Sequence, residues 1–457
     1  MSQNNNIVND NASTKKPVDN YKPLSWAEVF ASDQLPPLPT QLPRLVAKTV
    51  APTPPLLKGT VAQAVPVAYS IYPRHLRFVY TDKRTRELRM NCLLVAPEGG
   101  GKECITQPVN HILADIKEHD KVDRARLKEY NDEYARKAST KEKPQRPTDL
   151  DIRCLHADIT RPRLNQAVED SDGTFLFLKL NELEEWSRVE GCSGRACSFS
   201  VMKLADDEGN EFGQDRVGAQ SVNASGCLRL NWLADTTLPR LKKVFGYIHG
   251  EGPISRITFG SIPKVEIGAP IPVYGQYDAK YDESIRPFIE NLKKATGTVV
   301  CKQAQRLVEQ LKAEIDEFTS LAQDRILDSL SHRALVAAFR KACLIYAANG
   351  MKWEKSIEYY CRWSMQIDLF LKYRLFADDI REATAGVRMT KCGPQSLLDK
   401  IPVNEQGTFS FDDALRIHTA QGQEPDAKKV RNLLSQWQHR GYVETTPDGR
   451  YKRVARR

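Results

Sequence analysis

Short, almost wholly apolar runs along the chain are separated by longer stretches with helical spacing. Residues 89–97 (RMNCLLVAP) and 173–180 (GTFLFLKL) are apolar at successive positions, as in strands buried on both faces. Residues 150–155, 227–232 and 257–262 are further strand candidates. Between them, residues 106–138 are rich in helix formers and charge and end in the polar breaker STKEKPQRP. Residues 160–169 predict another helix, with Thr160 as its candidate cap. Strands alternating with helices predict an α/β fold with a parallel sheet.

After Pro263 the pattern changes, and residues 281–385 read as mostly helical. Leu307, Leu311, Ile315 and Phe318 recur at helical spacing, as do Leu335, Phe339 and Cys343, which predicts core-facing stripes. Near the end, residues 411–420 predict a short helix. A second helix is capped by Asp426, carries the stripe Val430, Leu433, Leu434 and Trp437, and stops at Gly441. A hairpin over 442–454 turns at Pro447-Asp448-Gly449. At the other end, residues 1–60 are polar and then proline-rich (SDQLPPLPTQLPRL, APTPPLL), predicting a disordered or extended arm. The chain thus divides into an arm (1–60), an α/β domain (61–270), a helical domain (271–400) and a winged-helix-like unit (401–457).

Composition narrows the class. With 41% hydrophobic and 27% charged residues over 457 positions, the chain can bury a large core without disulfide staples. Ten scattered cysteines form no CxxC pair, which argues against a zinc knuckle and for free thiols in a reducing compartment. No apolar run approaches the ~20 residues that span a bilayer, and the first residues, MSQNNNIVND, lack signal-peptide character. A cytoplasmic protein with no membrane partner is expected. The net charge of +9 permits a polyanionic partner.

The chemistry concentrates where the first strand ends, in Ala96-Pro97-Glu98-Gly99-Gly100-Gly101-Lys102-Glu103. A P-loop reads G-x-x-x-x-G-K-[ST] between a strand and a helix. Gly99, Gly100 and Gly101 would let backbone N–H groups close around phosphate, and Lys102 would reach the β- and γ-phosphates of ATP. Two positions depart from the pattern: Ala96 stands for the first glycine, and Glu103 for the hydroxyl residue that holds Mg²⁺. Downstream, the apolar strand of residues 175–180 ends in Asn181-Glu182, where P-loop enzymes place a metal-holding Asp and a water-activating Glu. Glu103, Asn181 and Glu182 are the candidate Mg²⁺ ligands, with Glu182 also the catalytic candidate. Asn231, with Thr236 or Thr237, is a candidate γ-phosphate sensor. Arg256, in GPISRITF after a glycine-rich turn, is a candidate finger for its own or a neighbouring subunit. A glycine-rich turn with a solvated lysine, an acidic helix start and a surface ion pair would account for the same residues singly. Their order along the chain is what favours a nucleotide site.

This ordered set resembles the primase–helicase-like P-loop ATPases of unknown function encoded in bacterial mobile elements and phages. The resemblance covers residues 65–380. It rests on LLVAPEGGGK, the tyrosine-bearing helical excursion with Tyr130 and Tyr134, the Asn181-Glu182-Leu183 strand end, residues 252–257, and HRALVAAFRKACLIYAANG. It implies a RecA-like or AAA+-like parallel sheet, ATP and Mg²⁺ as ligands, and phosphate, water and finger roles for Lys102, Glu182 and Arg256. It also implies partnership with primase or other replication proteins. Where members of the family carry Asp, this chain has Asn181.

Residues 427–457 carry nine basic and two acidic side chains, a net +7. Lys428, Lys429 and Arg431 sit where a recognition helix would meet base edges, and Arg450, Lys452 and Arg453 suit phosphate contacts. Together these features predict a DNA-acting, helicase-like ATPase, assembled as a homo-oligomeric ring, in replication or mobilisation of a mobile element or phage. The alternative is a non-catalytic DNA-binding adaptor or initiator with a degenerate nucleotide site.

Overall fold

The computed structural model describes residues 22–97, 101–137, 144–171, 173–191, 199–214, 224–245, 252–383, 397–420 and 426–454. Its centre is a sheet of five parallel strands: β1 (Asn91–Ala96), β2 (Cys154–Leu155), β3 (Leu176–Leu180), β4 (Leu230–Thr237) and β5 (Phe259–Ser261), in the order β2-β3-β4-β1-β5. Every residue of β1 and of β4 is buried, so both faces of the sheet are covered. The fold is α/β, as the alternation of strands and helices predicts.

From β1 the chain runs through α1 (Thr106–Ile112) and the long α2 (Ala114–Arg136) to β2 at one edge. It returns through α3 (Arg161–Asp170) and β3 to β4, which lies beside β1. It then continues through α4 (Leu238–Phe245) and α5 (Gly252–Arg256) to β5 on the other side of β1. β1 therefore lies where the chain's path across the sheet changes direction, the position at which α/β sheets form a ligand crevice at their carboxyl ends.

The edges of the sheet are not left open. At the β2 edge, the Asp120 carboxylate of α2 accepts from the backbone N–H groups of Arg153 and Cys154 at 2.9 and 2.7 Å. At the β5 edge, the Phe259 N–H donates to Asp368 at 2.7 Å. Asp368 lies on α9 (Ser356–Ala383), one of four helices with α6 (Ala279–Lys294), α7 (Lys302–Ala322) and α8 (Arg325–Ala348). Covering an edge strand in this way removes a template for intermolecular pairing.

Two expected boundaries change. The helices of 271–383 share one continuous hydrophobic core with the sheet, and α9 packs on β5, where Phe376 meets Phe259 with ring centres 5.5 Å apart. Residues 22–60 are likewise not an extended arm. They include helices at Trp26–Ala31 and Arg44–Thr49. Phe30 stacks on Phe318 with ring centres 5.7 Å apart, and Trp363 donates from its indole nitrogen to the Pro36 carbonyl at 3.0 Å. The prolines set extended turns between these contacts, while Trp26, Val29 and Phe30 bury enough apolar area to order the segment. Residues 1–21 lie outside the described residues.

The last unit has its own core. A short helix (Leu397–Lys400) is followed by β6 (Thr408–Phe409), α10 (Phe411–Ala420), α11 (Ala427–His439), β7 (Val443–Thr445) and β8 (Tyr451–Arg453). The strands pair antiparallel in the order β6-β8-β7. Asp426 caps α11 by accepting from the Lys428 and Lys429 N–H groups at 3.0 and 3.1 Å. Val430, Leu433, Leu434 and Trp437 are buried against Phe409 and Leu398. Gly441 follows α11 at φ +70°, and Gly449 closes the hairpin turn at φ +75°, left-handed conformations that suit glycine.

Candidate functional site

The carboxyl ends of β1, β3 and β4 meet at one edge of the sheet. Ala96 pairs with Thr237, and Leu180 pairs with Ala234. One residue further along, that register sets Asn181 beside Asp235, a carboxylate only 5% exposed. The segment after β1 enters this edge through Gly101 at φ +73° and a 3-10 turn, Lys102–Ile105, before α1 begins. Gly99 and Gly100 lie outside the described residues, as does the side chain of Lys102. Glu103 is exposed.

Lys179, near the end of β3, donates from its ammonium to the Thr106 hydroxyl at 2.8 Å. Burial lowers its pKa, while the nearby Asp235 and Glu103 carboxylates act in the opposite direction. A lysine at this edge is an addition that the spacing of the motifs did not reveal. Cys104 lies close by, and burial with a contribution from Asp235 pushes its thiol up to about 12. It is therefore a packing residue and not a nucleophile.

Glu182 is engaged. The Arg240 guanidinium of α4 contacts its carboxylate and lies 3.6 Å from that of Glu184. The neighbouring Glu185 carboxylate accepts from the Asn181 N–H at 2.9 Å and holds the chain as it leaves β3. Among the expected metal ligands, then, Glu103 is exposed and Glu182 is paired with a cation. Protein sites for Mg²⁺ need only one or two ligands beside phosphate oxygens. Asn181, exposed like Glu103, and the buried Asp235 offer an amide oxygen and a carboxylate on neighbouring strand ends. Among the described residues, no group of three or more His, Cys, Asp or Glu is placed to hold a metal.

Two predicted residues lie elsewhere. Asn231 is fully buried at the amino end of β4. Its Oδ1 accepts from the Met90 N–H at 3.0 Å, and its Nδ2 donates to the Ser70 Oγ at 2.7 Å and to the Leu88 carbonyl at 3.0 Å. Six strand residues, ~20 Å, separate it from Thr237, so it fastens the sheet and cannot sense a phosphate. Arg256 lies at the amino end of the sheet, where its carbonyl accepts from the Asn91 side chain at 2.9 Å. It cannot reach the glycine segment of its own chain. Its guanidinium donates to the Gly252 carbonyl at 2.9 Å and pairs with Asp207 at 3.4 Å. Arg333 reaches Asp206 at 2.9 Å, and Arg340 pairs with the same carboxylate.

In the last unit, Lys428, Lys429, Arg431 and Lys452 are exposed. Arg431 lies 5.4 Å from the Phe411 ring centre. Arg450 and Arg453 are half-buried and brace their own unit. Arg450 Nε donates to the Thr408 hydroxyl at 3.0 Å, and Arg453 donates to the Ile401 carbonyl at 2.5 Å. Burial of the apolar stripe also leaves Asn432, Ser435 and Gln436 exposed on α11, polar residues that a search for basic side chains passes over.

No protein-family model and no curated protein matches the chain. Among the described residues, no helix is long and apolar enough to cross a membrane.

Proposed function

We propose that this chain is a DNA-acting P-loop ATPase of the primase–helicase-like kind, serving replication or mobilisation of a bacterial mobile element or phage. The observation that carries the reading is the strand order. A polar strand end, Asp235-Thr236-Thr237, lies between the strand that feeds the glycine segment and the strand that ends in Asn181-Glu182. That order gathers an anion-binding backbone, a buried carboxylate and a candidate base at one edge, as phosphoryl transfer needs.

In this reading the phosphates of ATP lie against the backbone around Gly101 and Lys102. Asn181 and Asp235 hold Mg²⁺, which neutralises phosphate charge when bound. Glu182 orients the attacking water once Arg240 releases it. Arg256 serves a neighbouring copy's site, which calls for a ring or another closed homo-oligomer. The helix-helix-hairpin unit acts as a winged helix, with α11 in the major groove of DNA.

ATP turnover with and without single- and double-stranded DNA tests the proposal. Turnover stimulated by DNA and abolished by Lys102→Ala is the expected result. A second reading is favoured by the Arg240–Glu182 pair and by Glu103: a DNA-binding adaptor that keeps the fold with a degenerate site. It predicts no turnover, and DNA affinity indifferent both to ATP and to Lys102→Ala.

A further inference from the structure

The amino ends of β2 and β3 border a second cleft, on the far side of the sheet from the glycine segment. Its volume is about 300 Å³, and most of its lining is ionisable. Each carboxylate in the lining already has a partner. Asp151 pairs with Arg74, Asp115 pairs with Lys293 at 2.7 Å, and Asp120 accepts two backbone N–H groups. The exception to this pairing is a cation. Arg153 is only 6% exposed. Its Nε donates to the Phe175 carbonyl at 3.2 Å, and its buried Nη2 has no hydrogen-bond partner.

A guanidinium stays charged at any physiological pH, and burying it with a donor nitrogen unpaired is costly. The Asp151 and Asp120 carboxylates act on Arg153 through space but do not bond its Nη2. Here Arg153 lines the cleft, while the half-exposed Arg74, Lys293 and His119 stand at the rim. Planar guanidinium groups bind oxyanions through paired N–H donors. The acids around Arg153 would repel an oxyanion with no other polar groups, but they accept hydrogen bonds from a ligand that carries hydroxyl or ammonium donors. At ~30 Å³ for each water displaced, the space exceeds a bare phosphate ion and suits a body of about ten heavy atoms.

We infer that this cleft binds a small metabolite bearing one oxyanion group, phosphate or carboxylate, on a donor-rich body, with Arg153 as the anchor. The ligand would bridge three parts of the fold. The Tyr72 hydroxyl in the lining donates to the Ile112 carbonyl at the end of α1, Asp115 and His119 lie on α2, and Lys293 lies on α6.

The test uses the full-length chain carrying Lys102→Ala, which removes the lysine of the glycine segment as a competing phosphate contact. Ribose 5-phosphate and L-aspartate serve as probes of the two oxyanion sources, titrated by calorimetry at constant ionic strength. One of them is expected to bind at millimolar concentration or tighter, and adding Arg153→Met should weaken that binding at least tenfold. If Arg153→Met does not fold, Arg74→Ala, at an exposed rim position, decides the matter through an expected loss of about threefold or more. Absence of binding by both probes, or equal affinity in the parent and the substituted chains, would overturn the inference. Neither outcome bears on ATP turnover.

Discussion

Replacing Asn231 by Ala separates a structural role from a nucleotide-sensing one. In the native fold the side chain makes three hydrogen bonds, to the Met90 N–H, the Ser70 hydroxyl and the Leu88 carbonyl, with none of its surface exposed. Each bond is worth about 1 kcal/mol net, and a buried group left without a partner costs about 1–3 kcal/mol. The Ser70 hydroxyl keeps its own bond to the Val67 carbonyl, so the orphaned groups are the Met90 N–H and the Leu88 carbonyl. The expected loss is about 3–5 kcal/mol, a large share of the ~5–15 kcal/mol that keeps a domain folded. Urea denaturation followed by tryptophan fluorescence measures it, and nucleotide binding by the folded fraction should match the parent. A variant with unchanged stability that no longer binds ATP would refute this assignment and restore Asn231 to the nucleotide site.

Other substitutions and conditions test the remaining geometry. Arg240→Ala should cost no more than about 1 kcal/mol, because both partners of the Arg240–Glu182 pair are about half exposed. It should raise ATP turnover a few-fold by freeing Glu182, and a fall in turnover would show that Arg240 is needed where it is. Burial pushes the thiols of Cys92 and Cys361 from an ordinary value of 9.0 up to about 12. Both are held neutral in the fold, so their contribution is complete below pH ~9 and is lost as pH rises toward 12. The urea midpoint should therefore drop between pH 8 and pH 10.5, and a midpoint that stays level would contradict the burial. Lys452→Ala should reduce the salt dependence of DNA binding by about one phosphate contact and leave the fold intact. Arg453→Ala should instead destabilise the last unit by about 1–2 kcal/mol, through loss of its bond to the Ile401 carbonyl. Equal behaviour of Lys452 and Arg453 in both assays would remove the distinction.

What the sequence determined by itself is local. The apolar runs before Pro97 and Asn181 are strands, Asp426 caps its helix, and Gly441 and Gly449 end a helix and turn a hairpin. These outcomes depend on side-chain periodicity and on backbone groups within a few residues, which a linear reading contains. Tertiary structure decided the rest. Whether Asn231 meets phosphate or fastens β4 depends on which end of that strand it occupies, and whether Arg256 can act in its own chain depends on the same distinction for β5. The pairing of Asp235 with the end of β3 follows from β4 lying between β3 and β1, an order set by how the helices cover the sheet. Proline composition suggested an extended arm for residues 22–60, yet Trp26 and Phe30 are buried against helices some 300 residues away in sequence. The unpartnered Nη2 of Arg153 is equally invisible in the sequence, because a donor's partners are a property of packing, and only the folded chain shows which carboxylates are already taken.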